Sequence, residues 1–153
     1  MKKIIIHGPS KLHGTVKVQG AKNANRNCLI PLLTNDTFVL ENVPHTGTTE
    51  ALLKIIELYG GKKAWLGKNT LHIDSTSIHD AKKIPADIFF YTSSGIVAIP
   101  ILASRFGKCI IEKDTIRDDS GGDKIGGRQI ESVIKTLQEV GYIYSETKSE
   151  YTF

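Results

Sequence analysis

The sequence has no run of 18 apolar residues, so no membrane-spanning helix is expected from it. Its basic start, Met1-Lys2-Lys3, leads into an apolar stretch far too short for the core of a signal peptide. Ile4 to His7 therefore read as a first strand. Cysteine is scarce: Cys28 and Cys109 each sit inside an apolar run and read as buried small hydrophobes, not as a disulfide, in a protein expected to be cytoplasmic. The histidines His7, His13, His45, His72 and His79 have no metal-ligand spacing. No Ser-His-Asp or Cys-His arrangement emerges, and the phosphate-binding pattern Gly-x-x-x-x-Gly-Lys-Ser/Thr is absent. The net charge of +4 and pI near 9.0 are not gathered into a basic stripe with interleaved aromatics. That pattern argues against nucleic acid and fits small anionic ligands such as nucleotide and phosphate.

What is present is a chain of one ordinary domain's size. Its 153 residues are 40% hydrophobic and 24% charged, enough to bury a real core. The sequence also repeats itself. Cys28-Leu29-Ile30-Pro31-Leu32-Leu33 is echoed by Val97-Ala98-Ile99-Pro100-Ile101-Leu102. Each copy is followed by a turn and a strand, Thr37 to Glu41 in the first and Lys108 to Glu112 in the second. Each strand leads through a polar loop to an amphipathic helix. The first helix carries Leu52, Leu53, Ile55, Ile56 and Tyr59 and stops at Gly60-Gly61; the second carries Ile130, Val133, Ile134 and Leu137 and stops at Gly141. Thr48 or Thr49 is the expected cap of the first.

A hairpin is predicted after each helix. The first pairs Lys63 to Leu66 with Thr70 to Ile73, and the second pairs Tyr142 to Tyr144 with Tyr151 to Phe153. Trp65 and the tyrosines are expected to pack these hairpins. Ser75 to Pro85 reads as the polar connector between the copies. The repeat is longer than the ~20–50 residues of solenoid repeats, so it points to a duplicated supersecondary unit.

Two segments carry candidate chemistry. Thr15-Val16-Lys17-Val18-Gln19 alternates like a strand and runs into Gly20-Ala21-Lys22-Asn23-Ala24, which opens a helix. A glycine permits the sharp turn, and a lysine and an amide then stand where unpaired helix N–H groups favour an anion. The second segment, Asp118 to Arg128, is a glycine-rich loop entering a helix, and the backbone N–H groups of such a loop can cradle an anion.

With Gly8 to Gly14 ahead of them, these segments resemble the enolpyruvyltransferase family, and Lys22-Asn23 favours its cell-wall branch over the shikimate branch. The resemblance runs along all 153 residues, and the family's chain is well over twice as long. It implies an α/β (α+β) fold of repeated βαβαββ units, two of them here. Residues 1–20 would be lead-in strands of a partner domain, 21–85 the first unit with its connector, and 86–153 the second unit. A third unit, the partner domain and a catalytic aspartate base would lie elsewhere in the family's chain. The missing unit would come either from a missing C-terminal part of the chain or from copies that assemble as a homo-oligomer.

The activity implied is transfer of the 1-carboxyvinyl group of phosphoenolpyruvate to UDP-N-acetylglucosamine, by addition and elimination, with no metal or organic cofactor. The alternative is a truncated or divergent non-catalytic module that binds a sugar nucleotide or a protein partner. Asp123 stands where most members have a cysteine and would be the general acid, given a raised pKa. Arg128 and Lys22 would bind phosphoenolpyruvate, and Asn23 would hydrogen-bond the sugar nucleotide. Aspartate in place of that cysteine also implies resistance to fosfomycin. The chain departs from the family pattern at Ser93, where an arginine is usual, and over Gln129-Ile130-Glu131-Ser132, beside the nucleotide pocket.

Overall fold

The computed structural model describes residues 4–113 and 127–153, the side chains of 127–129 excepted. The loop around Asp123 thus lies outside the described residues. The order of elements follows the repeat. A 3-10 helix, Lys22–Leu33, precedes β1 (Thr37–Leu40), α1 (Gly47–Leu58), β2 (Lys62–Trp65) and β3 (Leu71–Asp74). The second copy begins with β4 (Lys83–Ile84) and α2 (Ala86–Phe89). A 3-10 helix, Ser93–Val97, then runs into α3 (Ala98–Phe106). It continues with β5 (Ile110–Glu112), α4 (Gly127–Glu139), β6 (Ser145–Glu146) and β7 (Glu150–Thr152).

Each copy closes a small sheet through its hairpin. β3 is the centre of an antiparallel sheet ordered β1-β3-β2, with Thr37 opposite Asp74 and Trp65 opposite Leu71. The second sheet is ordered β4-β5-β7-β6; β4 and β5 are parallel and the other pairs antiparallel. Both amphipathic helices end the same way. Gly60 and Gly141 adopt positive φ angles of 95° and 97° just past the last turn. The following N–H reaches back to close the helix, from Gly61 to Ile56 O at 3.0 Å and from Tyr142 to Leu137 O at 2.9 Å. Glycine takes this left-handed position without a Cβ penalty.

The core lies between α1, the Lys22–Leu33 helix and α3. Leu29, Leu32, Leu52, Leu53, Ile55 and Ile56 are fully buried in it. Cys28 and Cys109 are free thiols in the same core, as their apolar surroundings implied.

Four local expectations are corrected. Ile4 to His7 and Thr15 to Gln19 form no strand: Ile4, Ile6, Val16 and Val18 are exposed, and no ladder partner stands beside them among the described residues. An alternating segment becomes a strand only when its N–H and C=O groups find a neighbour. The cap of α1 is Thr46, not Thr48 or Thr49; its hydroxyl accepts from Thr49 N at 3.2 Å. The second hairpin is shifted: Tyr142 is consumed by the helix closure, so pairing starts at Ser145, opposite Thr152. Finally, the polar connector ends in β4, whose Ile84 is buried beside Ile111 of β5.

Candidate active-site turn

Gly20 is seated against the carbonyl of Asn42, so close that any Cβ there would collide with backbone. Asn42 holds a positive φ of 57°, a conformation asparagine tolerates better than most residues. This contact fixes the chain just before Lys22 and Asn23, which are both exposed at the first turn of the 3-10 helix. Just after them, Asn25 is buried at 2% exposure. Its Nδ2 donates to Thr49 Oγ1 at 2.8 Å and to Thr46 Oγ1 at 3.3 Å, both at the start of α1. The predicted lysine–amide pair is therefore presented from a turn anchored at both ends.

A cleft of about 410 Å³ opens beside this turn, between residues 20–28 and 39–44. Gly20, Ala24, Asn25, Val39, Asn42 and Pro44 are among its walls; Lys22 and Asn23 are not. Cys28 also lines it, but burial pushes that thiol up to about 11, so it is neither a thiolate nor a ready proton donor at neutral pH. Two helix starts converge nearby. Thr48 Oγ1, in the first turn of α1, lies 3.5 Å from Thr92 Oγ1, which caps the Ser93–Val97 helix through Ser94 N at 3.3 Å. Helix starts carry partial positive charge and favour anions. Ser93 opens that second helix and adds no charge of its own.

Of the predicted site residues, the structure places Lys22 and Asn23 side by side. Arg128 is in the first turn of α4, its side chain outside the described residues, as is the whole of Asp123. Among the described residues no group of three or more His, Cys, Asp or Glu is arranged to hold a metal, and no helix is long and apolar enough to cross a membrane.

Sequence reasoning missed Asn25. The signal was present: Asn25, Cys28, Leu29 and Leu32 follow i, i+3, i+4, i+7, and a polar residue on an apolar stripe is a buried polar residue in need of partners.

The profile of one family, EPSP synthase (3-phosphoshikimate 1-carboxyvinyltransferase), matches residues 6–151. The chain belongs to this family. Within it, the chain is 33% identical over 138 residues to the UDP-N-acetylglucosamine 1-carboxyvinyltransferase of Bradyrhizobium diazoefficiens, covering 90% of this chain and 30% of the relative. A UDP-N-acetylglucosamine 1-carboxyvinyltransferase of Caldanaerobacter subterraneus is 32% identical over 154 aligned positions, covering 100% of this chain and 34% of the relative. The crystal structure of the enolpyruvyl transferase NikO from Streptomyces tendae superposes with a TM-score of 0.76 over 96% of this chain and 31% of that one, at 19% identity. The α/β fold of the enolpyruvyltransferases is therefore the fold of this chain. It spans about a third of the length of the curated relatives it matches.

Proposed function

We propose that this chain supplies the Lys22–Asn23 side of a site that transfers the 1-carboxyvinyl group of phosphoenolpyruvate to UDP-N-acetylglucosamine, the first committed step of peptidoglycan synthesis. The observation that carries this reading is the exposed lysine–amide turn, anchored by Gly20 and Asn25, in a chain whose named relatives are carboxyvinyltransferases. In the proposed reaction a sugar hydroxyl gives up its proton and its oxygen bonds to C2 of phosphoenolpyruvate while the methylene C3 takes a proton. The adduct then loses a proton from C3 and, by breaking the bond from C2 to the phosphate oxygen, inorganic phosphate, which restores the double bond. Asp123 is the proposed donor of the proton. Lys22 and Arg128 are the proposed cationic contacts of phosphoenolpyruvate, and Asn23 that of the sugar nucleotide. Charge-assisted bonds of this kind are the strong class. The chemistry calls for no metal or organic cofactor, and the reading places it in the cytoplasm.

A second reading is favoured by a specific observation. Ser93 and Gln129 to Ser132 depart from the family pattern, which fits a module that binds a sugar nucleotide without turning it over.

An NMR titration of the chain with UDP-N-acetylglucosamine and then phosphoenolpyruvate separates the cases. Saturable shifts at Lys22 and Asn23 with both ligands are expected. Shifts with the nucleotide alone favour the binding module; shifts with neither overturn both readings. In a complete active enzyme carrying this chain's residues, Asp123→Ala is expected to lower kcat by at least ~100-fold. The same enzyme is expected to keep its activity under stoichiometric fosfomycin, since a carboxylate is a poorer nucleophile than a thiolate.

A further inference from the structure

We propose that Asn25 is a positioning residue that sets where Lys22 and Asn23 stand, by tying their helix to the start of α1. The proposal rests on the functional reading above for what those two residues bind. Its basis is the pattern of hydrogen bonds. The start of α1 is complete without Asn25. Thr46 Oγ1 accepts from Thr49 N at 3.2 Å, and Thr49 Oγ1 donates to Pro44 O at 2.7 Å. Asn25 adds two further bonds to the same hydroxyls, at 2.8 and 3.3 Å, across more than twenty residues of sequence. Their effect is to join two elements, and neither element needs them to form.

The placement of this tie matters. Asn25 and Thr49 are 2% and 0% exposed, so their bond is shielded from competing water. Lys22 precedes Asn25 by one turn of the 3-10 helix, which has about three residues per turn. A rotation or slide of the helix at Asn25 therefore reaches Lys22 and Asn23 almost undiminished. The other anchor, Gly20 against Asn42, limits translation of the backbone but supplies no directional bond of its own. The Cys28, Leu29 and Leu32 contacts further along the stripe are apolar and tolerate small slides. The amide of Asn25 thus gives that stripe a directional contact beside the turn, and burying an amide is unfavourable unless it is bonded in this way.

The test compares the wild-type chain with Asn25→Ala, Asn25→Asp and Thr49→Val. Each removes the donor or the acceptor of the 2.8 Å bond, and Thr49→Val keeps the shape should Asn25→Ala fail to fold. Titrations with UDP-N-acetylglucosamine and with phosphoenolpyruvate are read beside the amide signals of Lys22 and Asn23. Amides of Leu71 and Ile73, in the β1-β3-β2 sheet, report whether the core is intact. The expected result is an unchanged core, displaced Lys22 and Asn23 signals, and dissociation constants raised about tenfold in all three variants. The double variant Asn25→Ala/Thr49→Val is expected to lose less than the sum of the two single ones, because the 2.8 Å bond is common to both. Variants that keep the wild-type Lys22 and Asn23 signals overturn the proposal, as do variants that bind as tightly as wild type. If the wild type binds neither ligand, the functional reading fails, and the amide signals still decide whether Asn25 positions the turn.

Discussion

The two copies of the repeat use one plan and close it differently. In the first, α1 is packed from several sides: Leu52, Leu53, Ile55 and Ile56 are all at 0% exposure. In the second, Ile130 and Leu137 are the buried apolar side chains of α4 among the described residues, 8% and 7% exposed, while Val133 and Ile134 are half-buried. The sheets differ in the opposite sense. The first sheet has three strands and long ladders, and the second gains a parallel edge strand, β4, through a ladder of only two residues. The difference shows that helix closure is written locally while strand recruitment is not. Both helices end on the same glycine device. A lead-in strand forms only in the copy where a neighbour, β5, is at hand to accept it.

The sharpest way to break this comparison is to delete the same atoms from both helices. Ile55→Ala is expected to cost about 2–5 kcal/mol, since nothing around a fully enclosed side chain can collapse into the space. Ile134→Ala is expected to cost about 1 kcal/mol, because part of its surface already meets water. Urea unfolding of the two variants measures the gap. Equal losses would mean that α4 is as deeply built in as α1.

The same contrast explains how much could be read from sequence. The helices, the first hairpin, the strands Thr37–Leu40 and Ile110–Glu112, and the repeat itself rest on periodicity and glycine stops, which are local. The segment Thr15 to Gln19 has the alternation of a strand, and no ladder partner for it stands among the described residues, a fact no local pattern contains. The second hairpin slipped because Tyr142 served two plausible roles, and the helix closure took it. Of the site, Lys22 and Asn23 were legible as a motif. Their anchors were not, since Asn42 and Thr49 approach from other elements.

A smaller effect is expected at the seam between the copies. Arg105, on α3, donates to Leu32 O, Thr34 O and Ile78 O, each at 2.7 Å, and to the side chain of Asn35. One guanidinium thus gathers the end of the first 3-10 helix, the turn after it and the connector. Two of its acceptors are backbone carbonyls more than seventy residues away, so no sequence pattern announces them. Arg105→Ala is expected to cost roughly 2 kcal/mol, and Arg105→Lys to recover little, because an ammonium cannot span these acceptors with a planar fork. Full recovery by lysine in thermal unfolding would show that positive charge alone joins the copies.

The smallest expected effect concerns the two thiols, one in each copy. Burial pushes Cys28 up to about 11 and Cys109 up to about 12. In the unfolded chain a thiol titrates near ~8.5. Between these values the unfolded state gives up protons that the folded state keeps. Stability is therefore whole below about pH 8.5 and declines as the pH rises towards the folded values. The loss is expected to be about 1 kcal/mol per thiol by pH 9.5, and unfolding midpoints between pH 7.5 and pH 9.5 measure it. Cys28→Ala and Cys109→Ala should each flatten that slope by about half, relative to their own stability at neutral pH. If only one of them does, the copies differ in thiol burial as well as in helix depth. If neither does, the alkaline loss has another source, and the burial of the two cysteines does not set it.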